Sequence, residues 1–122
     1  MRILVIALLF ILGLVVGDVS GNWHGSFRVD GGDHDVPQLL TLRQDGTKLT
    51  GTGGPDATER YPISNGQVNG DRVTFELTTG DWKFSYDLKN SGLQMSGKLV
   101  LKSANDSRSA EVTLKKAQGS GR

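Results

Sequence analysis

A chain of 122 residues with 36% hydrophobic and 22% charged side chains is long enough for one core and too apolar to stay disordered. With 14 basic and 13 acidic residues its formal charge is +1, so it lacks the basic excess that phosphate contacts require, and nucleic acid is not an expected partner. The absence of cysteine removes disulfides, thiol catalysis and Cys-based zinc sites, while 17 glycines beside only 3 prolines point to many tight turns.

Met1-Arg2 is followed by an uncharged apolar run, Ile3 to Val16, and then by small residues from Gly17 to Gly21. This is the layout of a secretory signal peptide, whereas a membrane span needs about 20 apolar residues. Cleavage is expected after Gly17, with Gly21 as the second choice. Residues 18–116 then form the folded domain, and 117–122 form a flexible tail, or a linker if the chain continues. A secreted chain without disulfides must be held by its core, which suits a bacterial periplasmic or extracellular protein.

From Trp23 onward the hydrophobic pattern has period two. Trp23, Gly25, Phe27 and Val29 share one face, and Leu40 with Leu42, then Leu49 with Gly51, continue it. The stretch Tyr61–Val68 is irregular: Ile63 and Val68 have opposite parity, which predicts a bulge at Asn65-Gly66. Val73, Phe75 and Leu77 alternate cleanly, as do Trp82, Phe84, Tyr86 and Leu88. Leu93, Met95, Gly97, Leu99 and Leu101 read as one inward stripe, and Ala110, Val112 and Leu114 as the last. Between them lie turn residues, among them Asp45-Gly46, Asn69-Gly70-Asp71, Gly80-Asp81 and Asn90-Ser91-Gly92. The fold class predicted is all-β: an eight-stranded antiparallel up-and-down barrel, whose closure removes exposed edges.

Gly21-Asn22-Trp23, opening the first strand, resembles the G-x-W signature of lipocalins and the wider calycin group, which includes avidins. Asp45 to Thr52 looks like the second hairpin of avidins, and the layout resembles small barrel domains of secreted bacterial proteins, sometimes found beside hydrolases. The resemblance implies a lipocalin-like barrel that takes a small apolar ligand or a protein partner, or one that inhibits or assists a secreted hydrolase. Gly53 stands where avidins carry a biotin-binding Tyr, and only Trp23 and Trp82 represent their tryptophan wall, so biotin is not expected. Lipocalins pack an Arg over the signature Trp; here Lys115 and Lys116 occupy that place. Strand parity selects Lys116 to lie over Trp23, closing the narrow end together with Gly21.

Catalysis is not expected, because the inward positions of the regular strands carry no Asp, Glu, Lys, Arg or His, and acid–base chemistry needs two such groups in shelter. Asp30-Gly31-Gly32-Asp33-His34-Asp35 has the donors for a hard cation, but the spacing fits no EF-hand and a zinc site would need another ligand. It reads as a solvated loop, and neither metal nor cofactor is expected. Alternate connections of an up-and-down barrel share an end, and the two long ones, 30–38 and 53–60, fall together. That end is the expected mouth, with His34, Asp56, Glu59, Arg60, Tyr61 and Trp82 near it. Trp82 leads an inward stripe and reads as core before ligand platform.

Overall fold

In a computed structural model, residues 18–117 are described; the expected leader 1–17 and tail residues 118–122 lie outside them. Eight strands follow in chain order: β1 (Gly21–Val29), β2 (Val36–Asp45), β3 (Lys48–Gly54), β4 (Tyr61–Asn69), β5 (Arg72–Thr79), β6 (Trp82–Asn90), β7 (Gln94–Lys102) and β8 (Ser107–Lys116). Each pairs antiparallel with its sequence neighbour, and β8 returns to β1 to close the barrel. No helix occurs among the described residues. Tight turns make the meander possible: Gly46 and Gly70 adopt φ of 63° and 64° in two-residue hairpin connections, where a side chain would be strained.

The inward faces build one core. Trp23, Leu40, Val73, Phe75, Leu88, Met95, Leu99, Ala110, Val112 and Leu114 are all sealed from solvent, and Phe75 stacks on Tyr86 with centroids 4.5 Å apart. At Gly25 the strands approach so closely that an added Cβ would lie 1.9 Å from the Thr113 carbonyl oxygen. On the outer face, Asp87, Lys98, Glu111 and Arg28 stand side by side on β6, β7, β8 and β1 in alternating sign. The row ends in two ion pairs, Arg72–Asp87 at 2.8 Å and Arg28–Asp35 at 2.9 Å. Both are exposed, so they contribute little each and mainly favour this register over shifted ones.

The bulge expected in β4 is present. Pairing with β5 shifts between Ser64 and Gln67, pairing with β3 shifts between Leu49 and Thr52, and Asn65 has φ of 53°. Other boundaries differ from the expectation. β2 begins at Val36, so the first long connection is 30–35 and Gln38 lies in the wall, buried. Leu93 is not inward: β7 starts one residue later and Leu93 is 60% exposed in the turn, where its carbonyl accepts a hydrogen bond from Lys116 N. Ala117 is tied down rather than loose, its N–H donating to Asn22 O at 2.8 Å.

The closed end is plugged from before β1. Val19 is wholly buried; its N–H donates to Gln44 Oε1, and its carbonyl accepts the Trp23 indole N–H, both at 2.9 Å. Lys116 stands opposite Trp23 in the β1–β8 register, its ammonium 5.8 Å from the ring centroid.

Candidate functional site

The connections 30–35, 55–60, 80–81 and 103–106 gather at the other end, around an apolar cup. Register explains its composition: Phe84 pairs with Leu101 and Leu101 with Arg108, while Val29 pairs with Ala110, so all of these side chains share the inward face. Val29, Trp82, Phe84, Leu101 and Arg108 line a cavity of about 330 Å³, at the lower end of small-molecule pockets. Val29, Trp82 and Phe84 are only partly buried, and they continue the sealed core outward to solvent. Phe84 is held from below by Phe27, edge to face at 6.2 Å. Where the strands converge deeper in the barrel, their side chains fill the space, as an eight-stranded barrel requires.

Larger depressions, of about 420 and 450 Å³, lie on the wall over Arg72, Asp87 and Lys98 and along the β3–β4 break. The first is spanned by the Arg72–Asp87 pair and the second is lined mostly by polar side chains, so neither offers the aromatic surface found at the mouth.

Arg108 is a correction to the expectation that no charged group faces inward. β8 begins at Ser107, and Arg108 shares the parity of Ala110 and Val112. Its Nε donates to Asp106 Oδ2 at 3.0 Å, which holds the guanidinium at the rim. Apart from Arg108 at this rim and Lys116 at the other end, the inward strand positions among the described residues carry no charge.

Of the residues expected at the mouth, the structure brings Trp82 into the cup. Tyr61 sits inward opposite Gly53 on β3, and its hydroxyl donates to Glu59 Oε2 at 2.6 Å, a bond that raises the phenol pKa. Arg60 turns outward: Nη2 donates to Thr41 Oγ1 at 2.7 Å on the outer wall of β2, and Nε is enclosed there without a partner. Asp56 orders its own loop, accepting from Thr58 N, Thr58 Oγ1 and Glu59 N, and these bonds hold its carboxyl below the usual range. His34 stands in solvent beside Asp33, Nδ1 to Oδ1 2.7 Å. Among the described residues no three His, Cys, Asp or Glu side chains gather as a metal site. Phe84, Val29 and Leu101 were readable as inward residues but not as a rim, because their height in the barrel depends on the stagger between strands.

The geometry defines a class of fold, an eight-stranded antiparallel closed barrel of up-and-down connectivity with one plugged and one open end. Compared with family models, with curated proteins and with solved structures, the chain gives no match.

Proposed function

We propose that this chain is a secreted, non-catalytic binding module of lipocalin-like architecture, whose mouth holds a small ligand with an apolar body. The observation that supports it is the cup of Val29, Trp82, Phe84 and Leu101, apolar and half-open at the end that carries the long loops. The reading is non-catalytic because, among the described residues, the lining of the cup carries a single titratable side chain, Arg108, and acid–base chemistry needs two. Titration of the labelled protein with small probes such as indole or hexanol, followed by amide NMR, tests it. Shifts are expected at Val29, Trp82, Phe84 and Leu101 and are expected to vanish in Trp82→Ala. Shifts elsewhere, or none, count against it.

A second reading makes the chain an inhibitor or accessory domain of a secreted hydrolase. The self-ordered Asp56 loop favours it, since an exposed segment already fixed by its own hydrogen bonds loses little entropy on docking. Co-purification of an exported hydrolase, lost on Asp56→Ala, would distinguish this from ligand carriage.

A further inference from the structure

We propose that the ligand of the mouth is an organic monoanion, a carboxylate on a short aromatic or alkyl body. The inference rests on the reading of the cup as a binding site and adds the charge of its occupant. Val29, Trp82, Phe84 and Leu101 give the cup an apolar lining, and Arg108 is its one charged residue. Arg108 of β8 stands opposite Leu101 of β7, which in turn stands opposite Phe84 of β6. The cation and the apolar surface therefore belong to one row of cross-strand neighbours.

Arg108 is held without being used up. A guanidinium carries five N–H donors in one plane. Its Nε donates to Asp106 Oδ2 at 3.0 Å, and neither terminal nitrogen donates a hydrogen bond among the described residues. The two Nη groups leave a parallel pair of N–H bonds at the end of the fork, a geometry that the two oxygens of one carboxylate match. Asp106 restrains the fork from its Nε side, which lowers the ordering cost that a loose arginine brings to binding. A ligand seated there would fill the recess with its body and keep its carboxylate at the wet rim, against Nη1 and Nη2. The cavity of about 330 Å³ limits that body to a single ring or a short chain.

The acidic side chains of the surrounding connections, Asp30, Asp33, Asp35, Asp56, Glu59 and Asp81, oppose this preference. All six are exposed, and none belongs to the lining of the cup. Asp35 is paired with Arg28, Asp56 is bonded within its own loop, and Glu59 accepts from Tyr61. Their repulsion acts through water and is screened beyond about 8 Å at physiological salt, whereas a carboxylate on Arg108 is in bidentate contact. Contact at the rim sets the sign of the preference, and the loops reduce its size.

Benzoate, benzyl alcohol and benzylammonium share one ring and differ in head charge, so their dissociation constants on the intact protein isolate the charge. Benzoate is expected to bind tightest of the three, about 2- to 10-fold tighter than the alcohol. Arg108→Gln, at the exposed rim, should bring benzoate to the affinity of the alcohol or below it. The alcohol should bind this variant as before, with its amide NMR shifts at Trp82 and Phe84 reporting an intact cup. Equal affinities for benzoate and the alcohol, or tightest binding of benzylammonium, overturn the proposal while leaving the mouth a binding site. So does a preference for benzoate that survives Arg108→Gln, or a loss of alcohol binding in that variant as large as the loss of benzoate. Binding of none of the three overturns the mouth reading, and this proposal with it.

Discussion

The Tyr86 hydroxyl, on β6, donates to the side-chain oxygen of Gln38 on β2, across the inside of the barrel. Both residues are buried, so two polar groups in an apolar core are satisfied by one another. Removing one partner leaves the other without water or a replacement. Tyr86→Phe and Gln38→Leu are each expected to cost about 1–3 kcal/mol in chemical unfolding. The double variant should cost clearly less than the sum, because it strands neither group. Additive losses would show that the two side chains do not depend on one another.

The same tyrosine predicts an alkaline limit. Burial pushes the Tyr86 phenol well above its ordinary value of 10.0, so the folded chain holds this proton where the unfolded chain releases it. The associated stability is fully present below about pH 10 and is lost as pH rises further, with a slope of about 1.4 kcal/mol per pH unit. Tyr86→Phe should be less stable at neutral pH yet flatter above pH 10. An unchanged alkaline slope in that variant would assign base unfolding to other groups.

Val19 connects the sequence before β1 to the core. Val19→Ala should cost about 1–2 kcal/mol through the lost methyl groups and leave the backbone bonds to Trp23 and Gln44 in place. A polypeptide beginning at Asp18 should unfold at the same temperature as one that also retains Gly17. One beginning at Asn22 should unfold earlier and show redder tryptophan emission, as water reaches Trp23. The proposed secretory reading leaves two cut points, after Gly17 and after Gly21, and only the first keeps this plug. N-terminal sequencing of exported protein is therefore expected to begin at Asp18.

These contacts also show what periodicity can and cannot carry. Parity alone placed Val73, Phe75 and Leu77 inward, because a strand side chain has only two directions and three apolar residues select one. It also exposed the β4 bulge as a conflict between Ile63 and Val68. It failed at strand ends. Extending the Leu40 stripe back two residues would have found Gln38, but its polarity resembles loop, and its burial depends on Tyr86, which lies 48 positions away. Leu93 misled in the opposite direction, being apolar and in phase with Met95 yet placed in a turn by Gly92, whose φ is 102°. Arg108 is a strand-end case as well: β8 starts at Ser107, and the earlier start carries a charged side chain onto the inward face.

Gly21, Trp23 and Lys116 close the narrow end in a way that separates two adjacent lysines. Lys116 is paired with Trp23 and Lys115 with His24 on the outer face, so only Lys116 shares the side of the indole. Its ammonium, 5.8 Å from the ring centroid, is near the outer limit of a cation–π contact, so the gain is about 0.5–1 kcal/mol. Lys116→Ala should lose about that much together with the packing of its stem, whereas Lys115→Ala should stay within about 0.5 kcal/mol of the parent. Lys116→Met keeps most of the stem and removes the charge, so its loss should fall between the two. Gly21→Ala supplies an independent check. A Cβ there would lie 2.9 Å from Lys116 Cε, and the backbone φ of 137° strains any side chain. It should therefore destabilise more than Lys116→Ala does, and adding Lys116→Ala to it should cost little more, because the lysine is already displaced. Equal sensitivity at 115 and 116 would mean that the strand end contributes through its backbone bonds alone.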